Sequence, residues 1–174
     1  MGVTAAFIFA AQMINFTVVG GTSGHLLGGA LAAILLGPWA AMLVLTSVVA
    51  VQALLFQDGG LLALGANVFN MAVVGVLVGW TVYSGLKRLA GDRTWATMAS
   101  GFAAAWLSVV LVSLLAAAEL AISGTSPWGV VLPAMGLVHM LIGIGEGLIT
   151  VGVLSFLKAT RPDLLAMRQA PLRA

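Results

Sequence analysis

Side chains able to do chemistry are scarce in this chain. There are two histidines, five carboxylates and no cysteine, and no side chain before Asp58 carries a formal charge. His25 lies in "GGTSGHLLGG", residues 20–29. Glycines on both sides permit backbone conformations closed to other residues and let a ligand approach closely. A neutral imidazole is the commonest side-chain ligand for nickel, copper, zinc and iron. One histidine does not hold a metal, however, and no HExxH spacing is present. The lack of cysteine removes disulfides, zinc-thiolate sites and thiol catalysis together.

His139 and Glu146 stand seven residues apart in "GLVHMLIGIGEGLIT". Two helical turns put them on one face, about 10 Å apart along the axis, too far for direct pairing. A proton relay, a metal shell and a packing tether are all open, and each side chain is expected to find its partner on another helix. Glu119 falls near the end of an apolar run and reads as interfacial. The amides of Gln12, Asn15, Asn67 and Asn70 need partners wherever water is absent, and Asn67 and Asn70, at i and i+3, share a helix face.

The elements that must hold these groups are apolar almost throughout. Hydrophobic residues make up 61% of the 174 and charged residues 7%, and the mean hydropathy is +1.16. No soluble domain covers itself with water on such a composition. The 22 glycines and abundant alanines suit helices packing closely in lipid. The fold class expected is all-α, a polytopic integral membrane helical bundle of about six hydrophobic segments. Four apolar runs, free of lysine and arginine, are long enough to span the roughly 30 Å of hydrocarbon: Pro38–Phe56, Leu61–Leu86, Trp95–Leu120 and Gly129–Leu157. Two shorter runs precede them, Val3–Val18 and Leu26–Leu36. The second is too short for a straight crossing, so it is either broken or re-entrant, or extended by the glycine turn. No basic stretch before the first run marks a cleavable signal peptide. The division expected is a membrane bundle over residues 1–157 and a basic tail over 158–174.

All seven basic residues, Lys87, Arg88, Arg93, Lys158, Arg161, Arg168 and Arg173, follow either the fourth or the sixth run. Those positions are two spans apart and hence on one side, which the positive-inside rule makes cytoplasmic. The C-terminus is then cytoplasmic, the loop holding Asp58 external, and the His25 loop external if the short run crosses. Asn15, Thr22, Ser23, His25, Asn67 and Asn70 would share an external polar pocket. Nucleic-acid binding is not indicated. Ala6 and Ala10 form one small-residue ridge, and Gly75 and Gly79 another; each seats a helix inside the bundle or docks a second membrane subunit.

Four dispersed stretches, "MGVTAAFIFAAQMINF", "GGTSGHLLGGALAAILLGPWAAMLV", "VQALLFQDGGLLALGANVFNMAVVG" and "HMLIGIGEGLIT", resemble in order the membrane substrate-binding component of cobalt and nickel energy-coupling-factor (ABC-type) transporters, the CbiM/NikM family. The resemblance implies a helical bundle in the cell (inner) membrane that takes up Co²⁺ or Ni²⁺ outside. It also implies partners: a membrane coupling subunit, two cytoplasmic ATPases and a small accessory membrane protein. The ATPases would be separate, since no GxxxxGK[ST] pattern occurs here. The metal would be cargo in a near-planar nitrogen site and no permanent cofactor would be held. By match of motif His25 is the ligand. Asn15, Thr22, Ser23, Asn67, Asn70, His139 and Glu146 would be outer contacts that orient the imidazole and close the pocket, and Ala6 and Ala10 a docking ridge for a partner.

In one respect the chain departs from the family pattern. Family members begin Met-His, with an acidic-Gly turn and an extra first helix; here Gly2 occupies the second position. Three of the four nitrogen ligands that the resemblance implies are therefore missing, and a longer reading frame is the favoured explanation. The expectation is weak Ni²⁺ or Co²⁺ binding by the chain as written, or none. Two other functions remain open: a membrane scaffold that transports nothing, and an intramembrane enzyme using His139 and Glu146.

Overall fold

A computed structural model describes residues 1–18 and 22–166. Among them, four helices are long and apolar enough to cross a membrane: Pro38–Leu55, Leu64–Ala90, Thr94–Ile122 and Trp128–Thr160. These match the four long apolar runs to within a few residues, because lipid leaves a chain little choice but to satisfy its backbone within each span. The molecule is an all-helical membrane bundle with one small β-element.

In chain order, α1 covers Gly2–Gln12, β1 Asn15–Val18, β2 Thr22–His25, α2 Gly29–Leu36 and α3 Pro38–Leu55. The second long helix comprises α4 (Leu64–Asn67), a π-helical segment (Val68–Gly75) and α5 (Val76–Ala90); α6 (Thr94–Ile122), α7 (Trp128–Thr160) and a short α8 (Pro162–Ala166) complete the fold. The long helices alternate in direction, so Asp58 and Ser123 lie at one end of the bundle. Lys87 and Lys158 lie at the other, where they bond Thr97 and Thr94.

The two short apolar runs fold differently from plain spans. The first is helical only to Gln12. The chain then enters an antiparallel hairpin, with Asn15 opposite His25 and Val18 opposite Thr22, so what reads as a glycine turn is partly strand. The helix α2 that follows has eight residues, about 12 Å at 1.5 Å per residue, too short to cross. Hairpin and α2 together form a broken segment, and other protein surrounds the backbone of α2, as irregular structure at such depth requires. Gly37 ends α2, and Pro38, needing no N–H partner at a first helical position, starts α3.

Small residues seat this segment. A Cβ on Gly79 would fall 2.6 Å from the Cα of Ala30, and one on Gly29 would fall 3.3 Å from the carbonyl carbon of Gly75. The Gly75/Gly79 ridge is therefore used inside the bundle, backbone against backbone. Ser108, fully buried on α6, donates its hydroxyl to the carbonyl of Gly75 at 2.8 Å. Ala6 and Ala10 of α1 are exposed, which leaves that ridge unspent by the fold.

Candidate metal-binding cavity

The hairpin brings His25 to the wall of a cavity of about 680 Å³ that lies toward the Asp58 end of the bundle. His25 is half-buried, and its Nδ1 stands 2.8 Å from the carbonyl oxygen of Leu26. A carbonyl only accepts, so Nδ1 carries the proton and the neutral ring keeps its lone pair on Nε2. His139 lines the same cavity from α7. It is 5% exposed, and its Nδ1 donates to the carbonyl of Met135 at 2.8 Å, one turn back in its own helix. The expected partner on another helix is thus corrected for His139: a nearby carbonyl of the same helix suffices.

The carboxylate of Glu146 has its partners on the loop between β2 and α2. It accepts the backbone N–H of Leu27 at 2.5 Å through Oε2 and that of Gly28 at 2.9 Å through Oε1. Gln12, 1% exposed, donates from Nε2 to the carbonyl of Leu27 at 2.6 Å. Gly28 has φ +73°, and a Cβ there would meet Ile8 at 2.9 Å, so both the backbone conformation and the space require glycine. Three side chains of α7 spaced along one face therefore serve the loop. Ile142 and His139 press on Gly24, and Glu146 clamps the two peptides beyond His25.

Ser23, Asn67 and Asn70 also line the cavity, as the sequence led us to expect. Asn15 is exposed and is not on its wall. Glu146 lies outside it, on a small separate recess with Gly28 and Ile149. The side chain of Thr22 and residues 19–21 and 167–174, the last including Arg168 and Arg173, fall outside the described residues. Asn67 and Asn70 do not keep ordinary α-helical register, since the π-helical segment starts between them; π-turns inside longer helices are frequent at functional sites.

Sequence reasoning put Glu119 at the interface and Asp58 in an external loop and passed over Gln52; all three line the cavity. Glu119 accepts a hydrogen bond from Asn70 Nδ2 at 2.7 Å and lines the cavity, so it is not merely interfacial. Its signal was a lone carboxylate in a 29-residue helix with no other charge, a costly placement that marks function by default. Among the described residues, the buried Asn70 Oδ1 and Gln52 Nε2 have no protein partner. Two carboxylates, Asp58 and Glu119, stand on the wall and, among the described residues, no lysine or arginine does; such a cavity attracts cations and disfavours anions. Among the described residues no three His, Asp or Glu side chains converge into a metal shell. This chain's side chains can therefore supply part of a coordination sphere.

A family model described as the cobalt uptake substrate-specific transmembrane region matches residues 1–164. A fused NikMN protein of Archaeoglobus fulgidus is 48% identical over 98% of this chain and 56% of its own length. The fused nickel transport protein NikMN of Rhodobacter capsulatus is 38% identical over 98% of this chain and 53% of its own. This chain thus spans about half the length of those relatives. The cobalt transport protein CbiM of Sorangium cellulosum is 36% identical over 95% of this chain and 75% of its own. Among solved structures, a crystal structure of a transition metal transporter has a TM-score of 0.77 at 33% identity, covering 99% of this chain and 81% of that one.

Proposed function

The chain belongs to the CbiM family, the cobalt uptake substrate-specific transmembrane region, and from that membership we propose that it is the capture subunit of an energy-coupling-factor importer for Co²⁺ or Ni²⁺. Metal transport rather than catalysis is the family's business. The finer reading is that the ion enters the His25 cavity from outside the cell and is released inward as the bundle reorients against a membrane coupling subunit driven by two cytoplasmic ATPases. A small accessory membrane protein completes the assembly.

The observation that carries this reading is the Nε2 of His25, unbonded among the described residues and held by a hairpin at the wall of a cavity that has two carboxylates and, among those residues, no cationic side chain. Nitrogen donors suit Ni²⁺ and Co²⁺, whereas Mg²⁺ and Ca²⁺ prefer oxygen cages. The basic residues Lys87, Arg88, Arg93 and Lys158 gather at the opposite end of the bundle, which supports a cytoplasmic C-terminus and an outward cavity. Ni²⁺ uptake by cells that carry the assembled importer tests the reading. Replacing His25 with Ala should lower it by more than about tenfold, and equal uptake by the two strains would end it.

A further inference from the structure

We propose that Glu119 and Asn70 form a receiving site for the hydrated divalent ion, on the outward side of His25, and hold the ion through its water shell before that shell is removed. The inference rests on the reading of the cavity given above and adds a stage ahead of His25.

The two side chains are joined across the bundle. Asn70, 4% exposed, donates from Nδ2 to Oε2 of Glu119 at 2.7 Å, which leaves one acceptor oxygen on each partner. Asn70 Oδ1 is buried and, among the described residues, has no protein partner, against the general rule that such atoms are paired. Glu119 Oε1 has no protein partner among those residues either, and no cationic side chain from among them stands on the wall beside it. Each free oxygen shares a carbon with an atom of the 2.7 Å bond, so the two lie on one short stretch of the cavity wall. Two neighbouring acceptors, one of them a carboxylate, suit a ligand that is positively charged and presents only donors. A divalent aqua ion is such a ligand, since its water oxygens face the metal and its protons face outward. Gln52 Nε2, the other unpartnered buried atom on this wall, is a donor and suits a free water of the cavity instead.

The ion is received with its waters still bound. A six-water shell takes about 180 Å³ at roughly 30 Å³ per molecule, and a cavity of about 680 Å³ admits it. Among the described residues no three His, Asp or Glu side chains converge, so protein oxygens do not replace that shell, and direct bonds are left to the nitrogen donors that Ni²⁺ and Co²⁺ favour. The order of events follows from depth. Glu119 is about 5 Å in from the Ile122 end of α6, whereas His139, on the same cavity wall, is about 16 Å in from the Trp128 end of α7, at 1.5 Å per residue. Only residues 123–127 separate those two ends. A Cβ built on Gly24, the residue before His25, would stand 3.4 Å from Cε1 of His139, so the strand that carries His25 runs at the depth of His139. An ion entering from the Asp58 end meets Glu119 first.

Hexaamminecobalt(III) tests the proposal, because its ammonia ligands do not exchange and it binds only through outward N–H donors, never by a direct bond to His25. Calorimetry of the purified full chain in detergent should show the complex bound. Glu119→Gln should weaken that binding by more than about tenfold, the worth of one hydrogen bond to a charged group, and His25→Ala should leave it unchanged. In the amide NMR spectrum of the nitrogen-labelled wild-type protein, the complex should shift the side-chain signals of Asn70, a readout that needs no variant to fold. Absence of binding by the wild type, equal binding by Glu119→Gln, dependence of the binding on His25, or unmoved Asn70 signals each overturn the proposal. The reading of His25 fails by a different result, Ni²⁺ uptake that is indifferent to His25→Ala.

Discussion

Glu146 and Leu27 are 119 residues apart in the chain, yet the carboxylate of one accepts the peptide N–H of the other at 2.5 Å, and its second oxygen takes the N–H of Gly28 at 2.9 Å. The loop that presents His25 is thus fastened to α7, the helix that also carries His139. A movement of α7 relative to the loop between β2 and α2 has to stretch this clamp, so the geometry of the cavity and the packing of the bundle are linked through one side chain.

Replacing Glu146 with Gln leaves one acceptor oxygen for two buried donors. The orphaned peptide N–H should cost about 1–3 kcal/mol, seen as a lower melting temperature in detergent and as faster hydrogen exchange at Leu27 or Gly28. Unchanged exchange at both amides would mean that the clamp does not hold the loop.

Gly28→Ala combines a left-handed backbone with a contact of 2.9 Å to Ile8. The conformational part alone should cost about 1–2 kcal/mol. The paired variant Ile8→Ala with Gly28→Ala should recover the steric part and leave the conformational one, so a double-mutant cycle must show coupling between the two sites. Strict additivity would contradict the packing described.

Gly79→Ala and Gly85→Ala make an internal comparison on α5. The first drives a methyl group into Ala30 at 2.6 Å and should destabilise by about 1–3 kcal/mol. The second meets nothing within 4 Å and should stabilise slightly through helix propensity, by up to about 1 kcal/mol. Melting temperatures in the same detergent read both, and loss of stability in the second would refute the open environment assigned to Gly85.

Ala6→Leu enlarges an exposed ridge on α1 without entering the core. If that ridge receives the coupling subunit, Ni²⁺ uptake by cells containing the assembled importer should fall while metal binding by the purified protein is unchanged. Uptake equal to wild type would eliminate the surface as a docking face.

Much of this was legible in the residues. Four apolar runs became four long helices, and the polar residues Ser23, His25, Asn67, Asn70 and His139 do meet at one cavity. Glu119 was placed at the interface because a position near the end of a span looks hydrated until a neighbour is known; Asn70, 49 residues away, bonds it at the cavity wall. Asn15 was expected at the pocket, but its place at the open end of the hairpin leaves it exposed.

Membrane residence, the count and length of the long helices and the short list of groups able to bind an ion were determined by the sequence itself, because lipid admits few ways to satisfy a backbone and makes every polar side chain conspicuous. The hairpin, the π-helical turn at Asn70, the fastening of Leu27 and Gly28 by Glu146 and the placing of His25 and His139 on the wall of one cavity were decided only in three dimensions. Each depends on contacts between segments dozens to more than a hundred residues apart, where the energy of a short glycine-rich stretch is set by the walls it folds against rather than by its own preferences.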